Sequence, residues 1–245
     1  MNNNNKETIL YQVRRALINN IDAKLLVSSA RAFKSCEAAK VHGVRMAEVH
    51  MIAKAILQQI KKYPKHAIFE LCEELWQSGY LEEAVIACKW SETLYKEYEL
   101  ADFAIFERWL SSYVTNWANC DSLCRQPIVL FVVRYPDHIA KLKEWAKSPN
   151  RWMRRGAAVT LTIPATKGFF LNHVFDIADI LLLDKDSMVQ NGYGWMLRTA
   201  SEAGEMHQKA VFDYVMKNKS LMPRTTLRYI IEKMPASMKA EEMKK

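Results

Sequence analysis

From residue 64 onward, apolar side chains recur at helical spacing in one segment after another of 10 to 18 residues, separated only by short Pro, Gly, Asn or Asp breaks. In "PKHAIFELCEELWQSG", Pro64 opens and Gly79 closes a helix that carries Ile68, Leu71, Leu75 and Trp76 at helical spacing. "YLEEAVIACKWSETLYKEY" follows after almost no linker. "DFAIFERWLSSYV", "DSLCRQPIVLFVVRY", "PDHIAKLKEWAKS", "NRWMRRGAAVTLTI", "FFLNHVFDIADILLL" and "MVQNGYGWMLRTAS" continue the series. The run IVLFVV has the composition of a strand, but no partner strand follows it, so it reads as a buried helix. Seven Gly and seven Pro in 245 residues are too few for a turn-rich β fold. The expected class is all-α.

The helices also recur. When Met153 is aligned with Val189, Gly156 meets Gly192, Val159 meets Trp195 and Leu161 meets Leu197, all 36 residues apart. Another 36 residues back from Met153 is Trp117. A period near 36 with two helices per unit is the spacing of HEAT-like repeats, which stack into a solenoid with a concave face. The expectation is an α-α superhelix with a basic concave face, forming one domain over residues 1–245. The polar ends, 1–6 and 236–245, read as frayed.

Half of the residues are apolar and a quarter charged, the profile of a globular chain rather than a disordered one. No window approaches the ~18 continuous apolar residues of a membrane helix. The start, MNNNNKETIL, lacks the design of a signal peptide. The five cysteines (Cys36, Cys72, Cys88, Cys120, Cys124) are odd in number and scattered, which suits a reducing, cytoplasmic setting. Cys120 and Cys124 with His138 are conceivable metal ligands, but a single i,i+4 pair without a second pair reads as structural. No metal and no cofactor is expected, and nothing suggests an oligomer or a membrane partner.

Net charge is +8, which suits a polyanionic partner. Residues 141–155, KLKEWAKSPNRWMRR, carry Lys141, Lys143, Lys147, Arg151, Arg154 and Arg155 against one acid, Glu144. A second basic patch, KNKSLMPRTTLR, contains Arg224. One such run is usually a solvated helix face, whereas two on a basic chain favour phosphate binding.

Three stretches then stand out. Trp117 and Asp121 are one helical turn apart in "TNWANCDSLC", Arg155 lies in RWMRR, and Trp195 lies in NGYGWMLR. In a regular solenoid, helices 36 residues apart lie parallel and adjacent, so these side chains are placed to line one trough. Arginine holds phosphate with bidentate geometry, and tryptophan offers a flat face to a base, a sugar or a cation. A carboxylate stabilises an oxocarbenium-like transition state. Each has a bland reading as well. A helical Trp is usually core, Asp121 can serve as a cap, and Arg155 alone would be surface.

At this point the sequence resembles the AlkD-like DNA alkylation repair glycosylases, a HEAT-like family, through the W-x-x-x-D pattern of WANCD. "HGVRMAEVHMIAK" (42–54), "FERWLSSYVTNWANCD" (106–121), "NRWMRRGAAVTL" (150–161), "NGYGWMLRTAS" (191–201) and "PRTTLRYIIEKM" (223–234) resemble it in the same order. The resemblance implies that Asp121 is the catalytic carboxylate, with Trp117 and Trp195 at the damaged nucleotide. It implies that Arg155 contacts the DNA backbone, and Arg151, Arg154, Lys147, Arg198, Arg45 and Arg224 join it as expected DNA-binding residues. Relatives often have Lys where this chain has Asn191, a Gln-like residue at Arg45 and a basic residue at Ala84, departures that bear on substrate preference. The implied activity is hydrolysis of cationic N3- or N7-alkylpurines in duplex DNA, and with no lysine in the constellation to act as an amine nucleophile it reads as monofunctional. Two other readings stay open: a non-catalytic helical-repeat DNA-binding protein, and a HEAT-type protein scaffold.

Overall fold

The computed structural model describes residues 3–33 and 39–243, so Cys36 lies outside the described residues. The helices are α1 (Asn3–Asn19), α2 (Ala23–Ala32), α3 (Met46–Ile60), α4 (Lys65–Gln77), α5 (Leu81–Thr93), α6 (Phe103–Ser112), α7 (Trp117–Leu123) and α8 (Val129–Arg134). They continue as α9 (Ile139–Trp145), α10 (Arg151–Thr166), α11 (Leu171–Leu181), α12 (Ser187–Ser201), α13 (Glu205–Asn218), α14 (Arg224–Ile231) and α15 (Ala236–Met243). Among the described residues the β structure is one isolated bridge, Lys40 to Tyr80. The chain is all-α, and IVLFVV is helical as expected. Among the described residues no helix is long and apolar enough to cross a membrane. Residues 3–6, read as a frayed end, form the first turn of α1, and Ala236–Met243 form α15.

The repeat is visible in where helices begin. The starts of α3, α5, α7, α10, α12 and α14, at residues 46, 81, 117, 151, 187 and 224, are 35, 36, 34, 36 and 37 residues apart. One further helix lies between each successive pair of starts, except that both α8 and α9 lie between α7 and α10. By packing, the chain falls into two compact units, residues 1–131 and 132–245. In the first, α3 packs on α5 and α5 on α7; in the second, α10 packs on α12 and α12 on α14. Helices one repeat apart are therefore neighbours within each unit.

Hydrogen bonds carry the same period. Trp90 Nε1 donates to Ala53 O at 2.9 Å across 37 residues, and Tyr214 OH donates to Asp179 across 35. Glu73 accepts from Arg108, Trp109 and Tyr113 one repeat further on. These bonds hold its carboxyl below the usual carboxylate range against the opposing effect of burial. The first unit's core is aromatic, with Phe106 set edge-on to Phe69 at 5.9 Å and to Trp109 at 5.7 Å. The second is built on small and branched residues, among them Ala157, Val159, Val189 and Leu197.

Those small residues let α12 approach both neighbours. A Cβ on Gly192 would lie 3.3 Å from Arg155 Cγ on α10, and one on Gly194 only 2.9 Å from Thr226 Cγ2 on α14. Thr226 is buried and stiff at χ1, whereas the arginine stem can give. Replacing a helical Gly by Ala otherwise gains roughly 0.5–1 kcal/mol. Gly192→Ala is thus expected to be near neutral, and Gly194→Ala to destabilise by about 1 kcal/mol or more once overpacking is counted. Thermal melting of the two variants checks the order; the reverse order would show that α12 does not lean on Thr226.

Candidate functional site

α7 begins because Asn116 caps it: the residue is extended and its Oδ1 accepts the Asn119 N–H at 2.9 Å. Capping therefore falls to Asn116, and Asp121 lies a full turn beyond Trp117, the helix's first residue. The inward face carries Asn119, Cys120 and Leu123, all buried. The other face carries Trp117, which is 38% exposed, and Asp121, which is half-buried. The Trp117 ring has Phe33, the residue closing α2, at 6.1 Å. Nothing in the periodicity pointed to Phe33, which lies 84 residues away in sequence.

The chain does not run on from Asp121 as one regular helix, as the string DSLCRQPIVLFVVRY suggested. Cys124–Ile128 form a wide π turn containing Pro127, and the Val129 N–H donates to Cys124 O. Pro127 has no N–H for an i→i−4 bond, and its ring would crowd the carbonyl four residues back. The widened turn relieves both. Cys72, Cys88, Cys120 and Cys124 are buried thiols. Burial pushes Cys72 and Cys88 well above the usual thiol range, so they are packing groups at neutral pH rather than nucleophiles.

In the second unit the arginines of RWMRR are met by the start of α12. Arg151 pairs with Asp186 at 2.9 Å and its guanidinium lies 4.9 Å from the Trp152 ring centre. Arg154 pairs with Asp184 at 2.6 Å and donates to the carbonyls of Ser148 and Pro149. Arg155, a surface residue on its own reading, is 5% exposed, and its Nη1 donates to Met188 O at 2.6 Å. Asp184 and Asp186 are residues the sequence reading missed. Asp186 also caps α12 through the Met188 N–H, and Asp184 accepts the Asp186 N–H. Lys141 pairs with Glu144 and Lys143 with Asp176. Most of the charge in residues 141–155 is thus answered inside the second unit, while Lys147 is exposed.

Trp195 lies on α12, half-buried. Its neighbour Tyr193 is fully buried and its phenol is pushed up to about 12 by burial, so it stays neutral and supplies no base. Arg198, one turn before the end of α12, pairs with Glu232 at 2.6 Å and has the Tyr229 ring at 4.6 Å. Arg224, at the start of α14, is exposed. In the first unit Arg45 stands at the N-cap of α3, its side chain 74% exposed and 3.0 Å from Asp22. Trp117 and Asp121 are brought together on α7; Arg151, Arg154 and Arg155 are brought together around the start of α12. Among the described residues no three His, Cys, Asp or Glu side chains gather in a way that could hold a metal ion.

Comparison with known proteins agrees with this architecture. A structure described as a predicted DNA alkylation repair enzyme from Enterococcus faecalis superposes with a TM-score of 0.77. The match covers 89% of this chain and 98% of that one at 15% identity, a level at which the likeness is one of fold. No curated protein matches the chain. The profile of the family described as DNA alkylation repair enzyme matches residues 13–234, nearly the whole repeat array. The chain belongs to the DNA alkylation repair enzyme family, and its role lies in alkylation repair.

Proposed function

We propose that the protein is a monofunctional DNA glycosylase that hydrolyses the N-glycosidic bond of N3- and N7-alkylated purines in duplex DNA. The observation that supports this most is the placement of Trp117. Trp76, Trp90, Trp109 and Trp145 are all 2% exposed or less, whereas Trp117 is 38% exposed one turn from a carboxylate. The part of an indole that stays in water adds nothing to stability. Beside an anion it offers a face for a cationic base and its sugar.

An alkylated purine of this kind carries a positive charge, so it leaves without a general acid. As the bond from C1′ to the base nitrogen breaks, its electron pair neutralises the purine, and positive charge builds on the sugar. Asp121 stabilises that charge and orients water, whose oxygen bonds to C1′ while its proton passes to the carboxylate or to solvent. Trp117 and Trp195 supply aromatic faces. Lys147, Arg45 and Arg224 are the exposed phosphate contacts, while Arg151, Arg154, Arg155 and Arg198, engaged with Asp186, Asp184, Met188 O and Glu232, reach the backbone only by giving up those partners. The partner is double-stranded DNA carrying alkylated bases, bound by a monomer without a metal or cofactor. No lysine belongs to the catalytic set, so no covalent imine forms.

The test is a duplex with one 7-methylguanine. Wild-type protein is expected to release the free base and leave a site that breaks only on alkali treatment, with no borohydride-trapped adduct. Salt-dependent duplex binding without base release would instead identify a non-catalytic DNA-binding protein, and salt-indifferent behaviour a protein scaffold.

A further inference from the structure

Residues 39–45 lead into α3 and end on Arg45, whose side chain is 74% exposed. Behind this loop lie two buried carboxylates, Glu82 and Glu83 in the first turn of α5, 2% and 1% exposed. Glu82 Oε1 accepts the backbone N–H groups of Gly43 at 2.8 Å and Val44 at 3.2 Å, and Oε2 accepts that of His42 at 2.9 Å. Three successive N–H groups converging on one anion form a cradle of the kind that elsewhere holds phosphate. Here the cradle is filled from within the protein. Glu83 Oε1 lies 3.1 Å from His42 Nε2, and Oε2 accepts from Arg14 Nε at 3.3 Å. The His42 ring stacks on Tyr80 at 3.9 Å.

The loop is gripped from its other side too. Asp22 N–H donates to Gly43 O at 2.9 Å, and Leu81 N–H donates to Lys40 O at 2.9 Å. Gly43 has φ +80°, and a Cβ there would stand 2.6 Å from Leu26 Cβ, so α2 presses on the turn. Burying two carboxylates is expensive and is sustained only by a full set of partners. The exposed pair of Arg45 with Asp22 is too weak a gain to account for that foundation. What the foundation does supply is a fixed backbone under one exposed guanidinium. A guanidinium held in place forms two hydrogen bonds to a phosphate with less ordering cost than a free one.

We infer that Glu82 and Glu83 are positioning residues, which hold the 39–45 loop so that Arg45 meets a phosphate of the DNA backbone. This rests on the nucleic-acid reading above. The experiment is a double-mutant cycle on the full chain, measuring affinity for an undamaged duplex over a range of salt. Arg45→Ala is expected to make the dependence of log K on log salt shallower by about 0.9, one phosphate's worth. Glu82→Gln sets an amide NH₂ against at least one loop N–H and is expected to weaken binding about 2- to 10-fold. In the Arg45→Ala background the same change should have less than about a twofold effect, since its action runs through Arg45.

A purely structural role for Glu82 predicts equal weakening with and without Arg45, and an unchanged salt slope at the Arg45→Ala step means that Arg45 meets no phosphate. Either result overturns the inference while leaving the DNA reading intact. A wild-type protein that binds no duplex overturns both. Should Glu82→Gln fail to give a cooperative melt, Glu83→Gln, which keeps an acceptor for His42, carries the same cycle with the same criteria.

Discussion

Asp121→Asn is expected to lose base release by on the order of 10²–10³-fold in single-turnover assays on 7-methylguanine duplex, while duplex affinity stays within about twofold. The substitution is nearly isosteric and lies a full turn inside α7, whose cap is Asn116, so the helix should persist. What is removed is the negative charge. That charge does little for binding, because a carboxylate near phosphates is repelled if anything. It matters when the sugar becomes cationic, and so the loss falls on the chemical step rather than on affinity. Retention of most of the rate would remove Asp121 from the reaction. A parallel loss of affinity and rate would point to a disrupted α7 instead.

The architecture was legible because every helix must bury a stripe, and the stripe writes itself into sequence at period 3.6. The 36-residue recurrence anticipated that α10 and α12 lie side by side, and Gly192 against Arg155 and Val159 is the contact that realises it. The partners of the arginines were not legible. Asp184 and Asp186 lie in a polar stretch between helices, 30 and 35 residues from Arg154 and Arg151, and only the stacking of repeats brings them within reach. A run of bases in sequence therefore overstated the unanswered positive charge. Pro127 did signal a break, yet the apolar run after it masked the break, because a π turn preserves the helix's direction while changing its register. The exposure of Trp117 was illegible for a different reason. Periodicity places a side chain on a face, and which face meets water depends on the neighbouring helices. The division after residue 131 likewise leaves no Gly- or Pro-rich linker to read.

Arg154→Ala is expected to destabilise the protein by about 2–3 kcal/mol and to lower Tm by roughly 5–10 °C. The side chain is 19% exposed and Asp184 only 10%, so their 2.6 Å contact is partly shielded from water. Removing the guanidinium leaves that carboxylate nearly buried with one partner fewer, and also leaves the Ser148 and Pro149 carbonyls without their donor. The fully buried figure of 3–5 kcal/mol is reduced here for the remaining solvent contact. Arg154→Lys should fall between, since an ammonium keeps the charge but cannot span the carboxylate and both carbonyls at once. Lys147→Ala offers the contrast: being exposed, it should leave Tm within about 1–2 °C while making the salt dependence of duplex binding shallower. The two variants thus separate bases that build the repeat interface from bases that face a polyanion. If Arg154→Ala instead leaves Tm unchanged and flattens the salt slope, the guanidinium releases Asp184 in favour of a phosphate, and the Asp184 pair is a resting contact rather than a structural one.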